Sequence, residues 1–404
     1  MLNKLKKIGP GLLFAGAAVG VSHLVQSTRA GADYGWGLLW VLLLVNLFKY
    51  PFFQFGPRYA LATGESLLDG YLKLGKVYLW IYFFLNIATM FTIQTAVTIV
   101  TAGLASNLFD ISTNMIYWSI GVTAICYVIL LIGRYQLLDK VIKIIVLTLT
   151  TSSILALTIA FTKGNTTLSL TQVFPEGAGL LFVIAFMGWM PAPMDISIWQ
   201  SIWVLEKKKD LMNKFSLKEG LFDFDVGYFT TFFLGICFVG LGALVMFGSG
   251  LEFSDKGNIF AGQLIVLYTT NLGNAWYGVI AVAALTTMVS TTITTLDASP
   301  RAMSKTVQLL FEKKNKDLYI LWLTVLAIGT CLIFLFLLSE MGLLIQIATV
   351  LSFITAPFYA LLNFRLITSN HMPKKDQPSQ KIKILSIAGI FFLTGFTLVY
   401  LLSL

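Results

Sequence analysis

Three side chains have the types and places to hold a metal ion: His23, Met190 and Asp195. An imidazole with a thioether suits a softer cation, and a carboxylate adds the anionic oxygen that harder divalent ions prefer. His23 is one of two histidines in the chain and lies within a long apolar run. An ionisable group in such a run is a functional candidate by default, and only its neutral ring can ligate a metal. Around these three stand Gly20, Val21, Ser22 and Gln26 in one segment, Met187 and Ala192 in another, and Thr355 near the end of the chain. Asn86 and Gln94 are further polar candidates. Arg29 lies six residues beyond His23, about 9 Å along a helix, and Asp195 five beyond Met190, about 7.5 Å. The two point toward opposite vestibules and are not expected to pair. Lys49, near the end of its apolar run, is expected to snorkel toward the interface.

Other chemistry is excluded by what is missing. The sequence shows no nucleophile elbow, no paired carboxylates and no metalloprotease or phosphate-loop motif, so an enzyme is not expected and no cofactor is implied. The three cysteines, Cys126, Cys237 and Cys331, sit in apolar runs without metal-site spacing.

The elements that must position these residues are two matching segments. Residues 9–31 read GPGLLFAGAAVGVSHLVQSTRAG, and residues 177–201 read GAGLLFVIAFMGWMPAPMDISIWQS. Laid together without gaps, Gly9 meets Gly177, residues 12–14 meet 180–182, and Gly20 meets Gly188. Past the paired glycines the first copy turns polar at Ser22 and His23. The second carries Pro191 and Pro193, which remove backbone donors and break a helix. Lipid cannot satisfy freed backbone groups, so both breaks must line a cavity or pack on protein. Breaks are expected near residues 20–22 and 188–191, facing each other at mid-membrane. Interrupted segments at matching places in two halves point to a transporter's binding site.

The chain has 404 residues, 57% hydrophobic and 12% charged, with a mean hydropathy of +0.82. That is a multi-pass membrane protein. Hydropathy divides it into eleven spans, at about 10–31, 37–57, 77–104, 115–135, 140–162, 178–205, 224–248, 274–297, 318–340, 342–367 and 383–403. The net charge of +9 does not point to nucleic acid. With the N-terminus inside, every Lys and Arg except Arg29, Lys49, Lys163 and Lys256 falls on the inner side, the positive-inside pattern. The C-terminus is then outside, and the bacterial inner (plasma) membrane is the expected location. Five spans is an odd number, so a second half that repeats the first enters the membrane inverted. The expected architecture is all-α: one domain over 1–404, repeats at about 9–162 and 177–367, and an extra helix at 383–403.

The motifs resemble one family. GPGLLF at residues 9–14, Gly31, Leu38-Leu39-Trp40 with Asn46, Arg58 before Thr63-Gly64, Met190-Pro191, Ser290-Thr291-Thr292-Ile293-Thr294 and Ala356-Pro357-Phe358 are similar to the natural-resistance-associated macrophage protein (Nramp) family. That resemblance implies a leucine-transporter-like 5+5 inverted repeat and proton-coupled import of divalent transition metals. The family's first break carries Asp-Pro-Gly-Asn, with metal ligands at the Asp and Asn. Gly20-Val21-Ser22-His23 stands there instead. Met190 matches the family's metal-binding methionine, while Ala192 replaces a histidine. The acids some members use for protons have no counterpart in 77–104, so proton coupling is expected to be weak, absent, or carried by His23 or Asp195.

The sequence leaves three functions open. The first is secondary transport of a metal cation, foremost a divalent one, and the second is transport of another small polar solute on the same scaffold. The third is a non-transporting receptor. The partners are the lipid bilayer and the cargo; oligomeric state is not readable.

Overall fold

The computed structural model describes residues 9–132, 135–163, 169–210, 215–250, 253–254, 256–273, 277–312, 317–337 and 341–402. The basic lead at 1–8 and the side chain of Lys163 lie outside the described residues. Helices follow one another: α1 Pro10–Ala18, a π-helical segment Ser22–Ser27 that runs into α2 Thr28–Tyr34, α3 Leu39–Thr63, α4 Leu67–Leu74, α5 Lys76–Phe109, α6 Met115–Ile132 and α7 Tyr135–Lys163. The second half continues with α8 Ala178–Trp189, α9 Ile196–Asp210, α10 Leu217–Val245, α11 Gly257–Leu272, α12 Tyr277–Leu310, α13 Tyr319–Phe336, α14 Met341–Thr368 and α15 Gln380–Leu402. No strand occurs among the described residues.

Among the described residues, eight helices are long and apolar enough to cross a bilayer, or nine if Pro10–Ala18 and Ser22–Tyr34, bent by 49°, form one broken span. The expected spans at 140–162 and 178–205 are represented by the shorter apolar helices Leu147–Thr162 and Ala178–Trp189. The first of these lies within α7, Tyr135–Lys163, and the second ends at the helix break.

Helix α1 starts with Pro10 in the first turn, where a missing N–H costs nothing. The Asp223 carboxylate of α10 accepts from the amides of Gly9 (3.0 Å) and Gly11 (2.7 Å), satisfying donors that a helix start leaves open. The two helices touch backbone to backbone. A Cβ on Gly227 would overlap the Gly11 carbonyl, and one on Gly11 would overlap the Asp223 carbonyl. Small residues at such crossings let membrane helices approach closely. Phe14 anchors the same contact among Phe53, Phe224 and Tyr228.

Helix α3 departs from expectation. It passes through Pro51 and Pro57 and ends only at Gly64, a left-handed C-cap. Lys49 is therefore near the middle of a 25-residue helix, too deep for its side chain to reach an interface. It is fully buried. The expected snorkelling is corrected by that extra length. The short loop helix α4 begins with a capping box of Ser66 and Asp69.

Candidate substrate site at the paired helix breaks

The first break is short. Helix α1 ends at Ala18, residues 19–20 are bent, and winding resumes at Val21 before the π-helical segment. It falls slightly before the expected 20–22. The second is longer and later than expected: α8 stays helical through Gly188 and Trp189, and the chain is open over residues 190–195. Pro191 and Pro193 account for that length, since neither can donate to a preceding turn. Gly188 must remain glycine, because a Cβ there would overlap the Thr349 carbonyl of α14.

The two breaks face one another. Ala18, Val21 and Ser22 from the first and Trp189 and Pro193 from the second line a cavity of about 20 Å³, closed on a third side by Thr291 of α12. That is room for one water-sized particle. A separate, wider space of about 400 Å³ is lined by Gln26, Arg29, Ala185 and Gln346 among others.

Most carbonyls freed by the breaks are already engaged. Ala18 O accepts from Ser22 Oγ at 2.5 Å. Thr291 Oγ1 approaches Gly16 O (3.1 Å) and Val19 O (3.3 Å). Across the gap, Lys49 Nζ donates to Met187 O (2.7 Å), Gly188 O (2.8 Å) and Ala192 O (3.3 Å). An ammonium has three donors, and here each has a carbonyl.

His23 turns away from the cavity. Its Nε2 lies 2.9 Å from the Thr231 carbonyl of α10, so that nitrogen must carry a proton, because a carbonyl only accepts. Nδ1 faces Ser22 Oγ at 2.7 Å, and the ring edge meets Phe238. Met190 reaches across from the second break. Its sulfur is 4.0 Å from Ser27 Oγ, and its methyl packs where a side chain on Gly235 would stand. Asp195 is buried at the N-terminal end of α9, where the helix dipole favours a negative charge. No described side chain donates a hydrogen bond to it. It interacts electrostatically with Lys49, and the buried Tyr82 and Tyr359 also sense its charge.

The remaining expected residues are dispersed. Gln26 and Arg29 line the wider space together. Gly20 packs against Thr291, where a Cβ would crowd that side chain. Thr355 bonds its own helix at Leu351 O and Ser352 O. Asn86 is buried with no partner for its amide group among the described residues, and Gln94 is tied to Thr295, Thr98 and Thr292 O. Sequence reasoning missed Lys49 and Thr291; Trp189, within the expected second break, donates its Nε1 to Ser352 Oγ at 2.9 Å. A lysine in an apolar run was the available signal for the first. Among the described residues, no three His, Cys, Asp or Glu side chains come close enough to hold a metal by themselves.

The His23 geometry gives an expected result. His23→Ala strands the Thr231 carbonyl and should cost about 1–3 kcal/mol of stability. The affinity for any metal ion that the chain binds should stay within about threefold of wild type, less than 1 kcal/mol. Thermal unfolding and calorimetric titration check both.

Known proteins share the family and the fold. Residues 11–403 match the family described as Natural resistance-associated macrophage protein-like. A Pasteurella multocida (strain Pm70) protein, "Uncharacterized protein PM0681", is 36% identical over 406 residues, covering 99% of this chain and 92% of that one. The Eremococcus coleocola manganese transporter, solved in complex with an aromatic bis-isothiourea substituted compound, superposes with a TM-score of 0.75 at 15% identity, over 98% of this chain and 86% of that one. MhsT, solved in complex with L-phenylalanine, gives 0.65 at 15% identity over 98% of each chain. The fold is thus that of the leucine-transporter-like carriers, an all-helical multi-pass membrane bundle. By its match along nearly the whole chain, the protein belongs to the Nramp-like family, a family of metal-ion transporters and not of enzymes.

Proposed function

We propose that this protein is a secondary transporter that moves a divalent metal cation across the bilayer by alternating access. The observation that carries the reading is the meeting of two helix breaks at one cavity of single-ion size. The two repeats, about 9–162 and 177–367, are the halves that rock about it. The solved relative named as a manganese transporter makes Mn²⁺ the first probe. Of the expected ligands, Met190 supplies the thioether and Asp195 the carboxylate. Gln26 adds an amide oxygen from the wider space, and Met187 and Ala192 contribute their carbonyls. His23 is left to fasten the restarted helix to α10. The cell-side assignment follows the charge pattern: N-terminus in the cytoplasm, C-terminus outside, in the bacterial inner membrane. Helix α5 carries no acid between Val77 and Phe109, so proton coupling there has nothing to use.

One arrangement favours a second reading. Lys49 at the break and Arg29 beside Gln26 place fixed positive charge along the route, which suits a small polar solute bearing an anionic group. Thermal shift of the full chain in detergent separates the two. Mn²⁺-dependent stabilisation supports the metal. Stabilisation by small organic acids, with none from any metal, replaces it.

A further inference from the structure

The Lys49 ammonium sits where a cargo cation would. It comes from α3, crosses to the end of α8, and takes three main-chain oxygens of the second break at 2.7, 2.8 and 3.3 Å. Two of these, Met187 O and Gly188 O, belong to the last turn of α8, where orphan carbonyls carry the negative end of the helix dipole. The third belongs to the open stretch between the prolines. Such a cluster of oxygens facing one charge is a cation site in kind. Asp195 supplies the opposite charge nearby. A fully buried lysine with no carbonyls to meet would be very costly; here every donor is matched.

We propose that Lys49 is a tethered cation that fills the cation site of the second break while the carrier is empty, and that it sets cargo affinity by having to be displaced. The inference rests on the metal reading above and deepens it. In the empty state the ammonium satisfies the freed carbonyls, so the two halves can change places without a borrowed ion. In the loaded state the metal takes Met187 O, Ala192 O and the Asp195 carboxylate, and the lysine withdraws. No bond is made or broken in this exchange; one cation replaces another. The lysine also makes the site selective. A weakly held monovalent ion gains little by displacing an ammonium of equal charge, whereas a divalent ion brings twice the attraction for Asp195.

The test is cation binding to the purified full chain in detergent, by calorimetry and thermal shift, with Mn²⁺ and Na⁺ as probes. Wild type, Lys49→Met and Lys49→Arg are compared. Lys49→Met keeps the volume, frees the three carbonyls and leaves Asp195 uncompensated. It should bind Mn²⁺ at least about tenfold more tightly than wild type and gain stabilisation by Na⁺ that wild type lacks. Lys49→Arg keeps the charge and should not gain either. If Lys49→Met purifies poorly, added Mn²⁺ or Na⁺ should restore its thermal transition, because the ion takes the ammonium's place. A folded Lys49→Met with no tighter binding of either ion overturns the proposal, as does an unfolded one that neither ion rescues. Na⁺ binding that appears only in Lys49→Met, with Mn²⁺ bound by neither protein, upholds the tethered cation and removes the metal reading. Equal Mn²⁺ binding by both, without Na⁺, upholds the metal reading and overturns the tethered cation.

Discussion

Asp195→Asn should lower Mn²⁺ affinity by about a hundredfold or more, roughly 2.7 kcal/mol, while leaving a folded protein. The substitution keeps the shape at the head of α9 and removes a carboxylate that interacts electrostatically with Lys49. Lys49 still has its three carbonyls, so the ammonium remains satisfied and the bundle holds. The break, however, now presents a net positive charge to an arriving divalent ion, in a setting where screening is weak. The double variant Asp195→Asn/Lys49→Met removes both charges. It should recover less than the tenfold that Lys49→Met gains alone, because the attraction to Asp195 that the ammonium gives up is already gone, so that the two substitutions are non-additive in the manner of residues sharing one site. Calorimetric titration of the four proteins measures the coupling. Additive effects would mean that Lys49 and Asp195 do not share the cation.

The second large effect is structural. Gly227→Val should leave little protein that elutes as a single species in detergent. The new side chain would enter the Gly11 carbonyl, which is main chain and cannot swing aside. The helices α1 and α10 would have to part, and with them goes the Asp223 carboxylate that holds the Gly9 and Gly11 amides. The first break hangs from α1 on one side and is pinned to α10 through His23 and Thr231 on the other. Separation at the crossing therefore reaches the site. Close approach of backbones is the chief attraction available between membrane helices, so the loss is not made good elsewhere. Gly121→Ala, at a position with open space around it, is the control and should elute like wild type. Size-exclusion profiles and thermal transitions read the difference.

The paired breaks were legible because they are local. The repeated GxGLLF start, the glycines eleven residues later and the two prolines all act on the chain that carries them. Their positions shifted by a residue or two because a helix ends where its carbonyls find partners. Those partners come from elsewhere: Thr291 for Gly16 and Val19, Lys49 for Met187 and Gly188. The partners themselves were not legible. That Lys49 meets α8 depends on how α3 crosses it and on α3 running six residues beyond Pro57. Hydropathy could not supply that, since two prolines in a run argue for an end. His23 shows the same limit in reverse. Its type and place mark it as a ligand, but the Thr231 carbonyl that claims its Nε2 is 208 residues away in sequence. The site is thus readable as a location from the sequence, and readable as a set of ligands only once the crossings are known.

Uptake of Mn²⁺ into liposomes containing the purified protein, followed by quenching of an enclosed metal-sensitive dye, tests the central claim most directly. Saturable quenching that is lost in Asp195→Asn is the result expected of a carrier whose cargo passes between the two breaks. Vesicles in which wild type and Asp195→Asn quench no faster than protein-free liposomes, while both proteins remain folded, would contradict it.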